Sequence, residues 1–455
     1  MADKNLEMAK RVATAVAECG GRTFFVGGYV RDRLLGRENK DVDIEVHGIS
    51  VSQLEHILDG LGERMTVGAS FGIMGLRHYD LDIAMPRSEV AMGRGHRDFA
   101  VFVDPFIGER KAARRRDFTI NALMQDVLTD EVLDFFTGLD DLAQGLIRHV
   151  DPKTFVEDPL RVLRAAQFAA RFGFKVAPET RQLSATMDLS MLSRERIMGE
   201  LEKALLKADN PSVFFEELRS MGQLDDWFIE VGALCDVPQD PVNHPEGNVW
   251  NHTMMVLDEA ASLREQAQYP LGLMVAALCH DLGKAVTTEE VNGRIHAYGH
   301  ETAGLPLVKQ QLQRLTTERK LASYVLNMVE LHMRPNHLVA DGAKVKSYMK
   351  TFDMSVCPED LLLLAKADHF GRDFASIQEE RRAYAQVENR LNEMLEEYRR
   401  RMAAPHVTGK DLIEEGLEPG PLMGEVLAYV HKVRLAGRPK HEQLKQALGF
   451  VRSKK

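Results

Sequence analysis

At 455 residues the chain is too long for one hydrophobic core and implies about two to four domains. Its four cysteines, Cys19, Cys235, Cys279 and Cys357, include no CxxC pair, which argues against a disulfide framework or a cysteine zinc site and fits a reducing cytoplasm. The net charge of −10 repels polyanions, so a nucleic-acid partner would have to meet a local basic patch, either "RKAARRR" (Arg110 to Arg116) or the tail from His431 to Lys455.

The N-terminal stretch "MADKNLEMAKRVATAVAECG" reads as an amphipathic helix without a signal-type apolar core, and no run reaches the ~18 apolar residues of a membrane span. "TFFVGG" reads as a strand ending in a glycine turn, and "DVDIEV" alternates with period two. "FGIMGLRHYDLDIAMPR" has the form of a hairpin with Asp80 and Asp82 on one face of its second strand, and "VLDFFTG" adds a short strand. After Gly138 strand signals nearly vanish. "DPLRVLRAAQFAARFGF" has helical spacing and stops at Gly173, and helices continue to the end with breaks at "VPQDPVNHPEGN" and "MAAPHVTGKD". The expected fold class is an α/β sheet domain followed by an all-α region.

Paired glycines after a strand allow backbone amides to approach phosphate oxygens, and Arg31 offers a fixed-charge fork for the same group. Asp41 and Asp43, at alternate positions, point to one face. Two adjacent carboxylates call for a cation, and hard oxygen ligands beside phosphates suit Mg²⁺. Asp82 is the expected third carboxylate of a two-metal site, with Asp80 as the alternative. In "RRRDFTINAL", Arg116 can neutralise phosphate, Asp117 can accept from a ribose hydroxyl, and Asn121 falls on the same helical face. In "EDPLRVLR", Asp158 and Arg161 project together from a helix start. A carboxylate and a guanidinium side by side suit cytosine and adenine, which both present an amine next to an acceptor.

These segments, in this order, resemble the class II tRNA nucleotidyltransferases: CCA-adding enzymes and their bacterial poly(A) polymerase relatives. The resemblance implies that Asp41 and Asp43 hold catalytic metals, that Gly28 and Arg31 contact the triphosphate, and that Arg116, Asp117 and Asn121 contact the nucleotide. It further implies that Asp158 and Arg161 template the incoming base and that Arg164 meets phosphate. Many relatives carry one more arginine where this chain has Gln167. "SRERIMGELEKAL" resembles the helix closing the family's neck. The expected partners are CTP, ATP and the 3′ end of tRNA. The in-class alternatives are a poly(A) polymerase, a CC-adding or an A-adding enzyme; intact HD ligands and a modest tail charge argue against the first.

In the helical half, His252, the dipeptide His280-Asp281 in "ALCHDLGKA", and Asp368 follow the ligand order of HD-type phosphohydrolases. His300 and His332 lie where two-metal members place extra histidines. Mixed His/Asp ligands suit Mn²⁺, Co²⁺, Ni²⁺ or Zn²⁺ better than Mg²⁺. The region resembles the HD domain fused to some bacterial CCA-adding enzymes, which acts there on 2′,3′-cyclic phosphates or phosphomonoesters. The expected divisions are a nucleotidyltransferase head (1–137), a helical neck (138–235), an HD domain (245–375) and a helical, tRNA-binding tail (376–455). A reading from another class is an HD phosphohydrolase whose head only binds RNA.

Overall fold

The computed structural model describes residues 2–39, 41–67, 73–91 and 99–454. Two compact units result: residues 1–204 with 213–223, and residues 205–212 with 224–455. Among the described residues no helix is long and apolar enough to cross a membrane.

The first unit opens with α1 (Ala2–Glu18), then β1 (Arg22–Val26), α2 (Gly28–Leu34), β2 (Val42–His47), α3 (Val51–Leu61), β3 (Arg64–Val67), β4 (Ile73–Leu76) and β5 (Leu81–Ala84). A separate pair, β6 (Arg87–Ala91) and β7 (Phe99–Val103), precedes α4 (Glu109–Arg114), β8 (Met124–Asp126) and β9 (Val132–Leu133). The main sheet runs β3-β4-β5-β2-β1-β8-β9, with β2–β5 parallel and the other pairs antiparallel. Phe24 and Phe25 are both buried, so β1 is covered on both faces. Phe24 and Val26 join Ala113, Ala122 and Met124 in one cluster, while Phe25 meets Tyr29 of α2. This explains why β1 reads as an unbroken apolar run rather than an alternating one.

The expected helix at "RRRDFTINAL" is not formed. The chain leaves α4 at Arg114, and Thr119–Asn121 is a single 3₁₀ turn. The β4–β5 hairpin forms over its described part, although Phe71 and Gly72 lie outside the described residues. Asp80 stands just before β5 rather than within it. The helix Leu160–Phe172 stops at Gly173, as its spacing predicts.

The second unit is mainly helical. Its apolar residues form local clusters, one around Tyr348, Phe352, Leu391 and Leu395 and another around Leu412, Val426, Val430 and Val451. Strands are not confined to the first 138 residues. A short parallel pair, β10 (Leu146–Ile147) and β11 (Lys175–Val176), stays in the first unit, and an antiparallel hairpin, β12 (Glu289–Val291) and β13 (Arg294–His296), stands in the second. Asn292 (φ 54°) and Gly293 (φ 77°) supply the left-handed turn of that hairpin.

Candidate functional site

In the head, the turn after β1 rests on Gly27, at φ 65°, a region that disfavours side chains. A Cβ there would lie 3.3 Å from Nη1 of Arg116 and 4.0 Å from Oδ2 of Asp43. The turn therefore brings bare backbone against a guanidinium and a carboxylate. By sequence Gly27 counts only as half of the glycine pair, and Gly28 is the expected triphosphate contact. Gly28 opens α2 beside Arg31.

Asp43 and Asp82 stand opposite each other in the β2–β5 register. Asp41 is exposed and lies one residue before β2, its N–H donating to the Asn39 side chain at 3.0 Å. Burial and the adjacent Asp82 push the Asp43 carboxyl up to about 6; Arg116 opposes this, and Asp41 and Asp80 add to it. Asp43 thus feels three exposed carboxylates, Asp41, Asp80 and Asp82, against one arginine, a balance a bound cation would relieve. Arg116 also pairs with Glu45 at 3.3 Å.

Beside this cluster runs a polar web. The buried Arg31 donates to Asp32 at 2.8 Å and to Asn121 at 2.6 Å; Asn121 donates to Asp117 at 3.0 Å, and Arg164 to Asp117 at 2.7 Å. Burial alone would raise the Asp117 carboxyl, but Arg164 and Asn121 hold it below the ordinary value. The Arg31 guanidinium lies 4.5 Å from the Phe172 ring and Arg164 lies 5.1 Å from Phe168. The expected nucleotide residues Arg31, Asp117, Asn121 and Arg164 are thus brought together, with Asp32 as an unforeseen member.

Asp158 and Arg161 do not meet tip to tip. Asp158 precedes the helix and pairs with Arg196 at 2.8 Å. Arg161 donates to the backbone carbonyls of Thr154 at 2.5 Å and Arg115 at 2.8 Å. Gln167 is buried, and its Nε2 has no hydrogen-bond partner.

The second constellation is tighter. His252 lies in the helix Val249–Leu263, Asp368 in Pro358–Phe370, and His280 and His332 each cap a helix C-terminus. Four Nδ1 atoms face backbone carbonyls: His252 to Gly371 (2.8 Å), His280 to Ala277 (2.7 Å), His300 to Ala297 (2.8 Å) and His332 to Val329 (2.7 Å). A carbonyl can only accept, so each Nδ1 donates and each Nε2 is left as a lone-pair donor toward the centre. Oδ2 of Asp281 lies 3.2 Å from Nε2 of His280 and 3.6 Å from that of His252. Its Oδ1 lies 3.1 Å from His300 and 3.8 Å from His332. Asp281 is therefore shared by two ligand groups, His252/His280 and His300/His332. Asp368 closes the first group, 3.1 Å from His252.

Burial would raise both aspartates, yet the surrounding histidines, with Lys284 beside Asp281, hold them well below the usual carboxylate range. Burial pushes His332 down to about 4. A backbone crossing makes this assembly fit: a Cβ on Gly283 would overlap the His300 carbonyl oxygen, so only glycine allows the His-Asp turn to approach His300. Lys284, 2.7 Å from Asp281, and Glu246, 3.1 Å from Nδ1 of His252, were not anticipated as parts of the site, although both stand inside quoted segments, "ALCHDLGKA" and "VPQDPVNHPEGN".

With this geometry in hand, comparison with known proteins is decisive. The Poly A polymerase head domain family matches residues 23–148, and the HD domain family matches residues 249–373. The multifunctional CCA protein of Pasteurella multocida is 36% identical over 419 residues, 89% of this chain and 94% of that protein. The one from Pseudomonas fluorescens is 37% identical over 417 residues, 89% and 96%.

The chain belongs to the multifunctional CCA protein family.

The fold agrees with solved CCA-adding enzymes. The Thermotoga maritima enzyme complexed with tRNA gives a TM-score of 0.63 at 20% identity, over 99% of this chain and 98% of that one. The Bacillus stearothermophilus enzyme in complex with CTP gives the same score and coverage. Asp41, Asp43 and Asp82 fall within the segment matched by the Poly A polymerase head domain, and the His/Asp cluster falls within the segment matched by the HD domain.

Proposed function

We propose that this chain adds CMP and AMP from CTP and ATP to the 3′ end of tRNA, and that its HD domain hydrolyses phosphate esters. The in-register Asp43–Asp82 pair facing Arg116 across the Gly27 turn carries the first reading. Relatives of the multifunctional CCA type and CCA-adding structures bound to tRNA, ATP and CTP support it.

Asp41, Asp43 and Asp82 would hold Mg²⁺, and their all-oxygen donor set fits it. Bound there, Mg²⁺ would neutralise phosphate charge and lower the pKa of the attacking hydroxyl. The residues of the chain do the rest. Arg31, Arg116 and Arg164 bind the triphosphate, and Gly27 and Gly28 let backbone amides reach it. Asp117, steadied by Asn121, accepts from the ribose. The tRNA 3′-oxygen bonds to the α-phosphorus in line, and pyrophosphate leaves with the electron pair of the broken P–O bond. Asp158 and Arg161 select the base after leaving Arg196 and the carbonyls of Thr154 and Arg115. The tRNA would run along the neck and tail and be read by backbone and shape. Tail charge available for this is reduced, because Lys440 pairs with Asp411 and Lys454 with Glu425.

In the HD domain, His252, His280, Asp281 and Asp368 would hold one divalent transition metal, and Asp281, His300 and His332 a second. Such ions supply a hydroxide-like water. Lys284 orients Asp281 and faces the phosphate.

The test is extension of a tRNA lacking its 3′ end with each nucleotide alone and together. Two additions from CTP followed by one from ATP are expected. Poly(A) growth on arbitrary RNA, CC-only or A-only addition, or no addition at all would each replace the reading.

A further inference from the structure

Beside the HD ligands the second unit holds a cavity of about 560 Å³ that the ligand set does not account for. His300 lies on its wall, so the cavity reaches the metal-ligand cluster. Two kinds of chemistry line it. One is cationic: Lys284, Arg334 and Arg372. Among the described residues the Nε of Arg372 is buried without a hydrogen-bond partner, and Nη1 of Arg334 donates to the sulfur of Met354 at 3.7 Å. The other is an aromatic pair. His296, the last residue of β13, stacks on Tyr298 with ring centres 4.9 Å apart and planes 12° apart, while Tyr298 remains 75% exposed. One face of the tyrosine is thus backed and held, and the ring stays open to solvent.

An exposed tyrosine held flat by a partner is poorly explained by folding, since its apolar face gains nothing from burial. It suits a flat ligand, because a pre-stacked ring presents its face without further ordering. Cations and a flat platform on one cavity suit a molecule with a phosphate at one end and a planar ring at the other. Resting on the phosphohydrolase reading of the HD centre, we infer that Tyr298, backed by His296, is a base-stacking platform that makes this centre selective for nucleoside phosphates, free or at an RNA 3′ end, over phosphate esters without a base. Asp240 and Glu301 also line the cavity.

The experiment compares the metal-loaded full chain with its Tyr298→Ala and Tyr298→Phe variants on two esters: 2′,3′-cyclic AMP and the 1,2-cyclic phosphate of glycerol, which has no base. The ratio of kcat/KM for the first to that for the second is expected to fall about tenfold in Tyr298→Ala, mostly through KM, and to recover in Tyr298→Phe. An unchanged ratio, or equal loss on both esters, overturns the platform. An oligoribonucleotide ending in the same cyclic phosphate, run alongside, identifies RNA as the source if its loss is larger and the free nucleotide if it is smaller. If neither ester is hydrolysed, the phosphohydrolase reading fails while the platform is still tested: calorimetric binding of 2′,3′-cyclic AMP should weaken about tenfold in Tyr298→Ala, and equal binding refutes it.

Discussion

Asp117 shows how one buried charge organises the nucleotide side of the head. It joins Asn121, itself held by Arg31, to Arg164, and its carboxyl is held below the ordinary carboxylate value of 3.8. A depressed folded-state pKa stabilises the protein above the unfolded value, and that contribution is lost as pH falls below about 3.8 toward the folded value. Asp117→Asn should therefore flatten the acid limb of the stability curve and cost about 2 kcal/mol at pH 7, measured by urea unfolding against pH. An unaltered acid limb would remove Asp117 from the web. Asp158 offers a second test. With its Arg196 partner it is half-exposed, so its loss should spare folding. Asp158→Ala should relax the choice of CTP and ATP over UTP and GTP in primer-extension assays, and unchanged selectivity would defeat the template idea. Cys279 is the inert contrast, buried and with its thiol pushed up to about 12 by burial. Native protein at pH 8 should leave it unalkylated while the exposed Cys19 reacts, as peptide mapping would show.

At the level of elements, short turns carry the head site. Gly27 holds the left-handed turn between β1 and α2, with Arg116 and Asp43 where a side chain would go. Gly27→Val should lower nucleotide addition at least about a hundredfold, since a displacement of about 1 Å at a reacting centre costs that much, while the circular dichroism spectrum stays native. Retained activity would show that close backbone approach is not required. The glycine pair and both aspartates were legible in the sequence because strand alternation is strict: a two-residue step returns to the same face, and the third carboxylate comes from an adjacent strand with the same pattern. The 3₁₀ turn at Thr119–Asn121 was hidden because the same i, i+4 spacing of Asp117 and Asn121 satisfies an α-helix, whereas in the fold Asn121 is held by a hydrogen bond from Arg31 of the sequence-distant α2. The β12–β13 hairpin had a local signal, the Asn292-Gly293 dipeptide, which the helical surroundings masked. The separate engagements of Asp158 and Arg161 had little: besides Thr154, seven residues from Arg161, the partners lie 38 residues away at Arg196 and 46 away at Arg115.

For the whole molecule, the head carboxylates proposed to hold Mg²⁺ and the His/Asp cluster differ in donor chemistry, and each group lies inside its own compact unit. Oxygen-only donors favour Mg²⁺, whereas imidazoles with a shared carboxylate favour a transition ion. The histidines of the second set also arrive pre-oriented, because each Nδ1 is already bound to a carbonyl. These features make the two activities separable. Asp43→Asn should abolish nucleotide addition and retain hydrolysis of a cyclic phosphate ester. Asp281→Asn should do the reverse, because one amide cannot serve both histidine pairs as the carboxylate does. After removal of all metal by chelation, Mg²⁺ should restore addition alone, and Mn²⁺ or Ni²⁺ should be required for hydrolysis. Parallel assays of both activities on the same preparations check this. Loss of both activities in either variant, without loss of secondary structure, would mean that the two ligand sets serve one reaction.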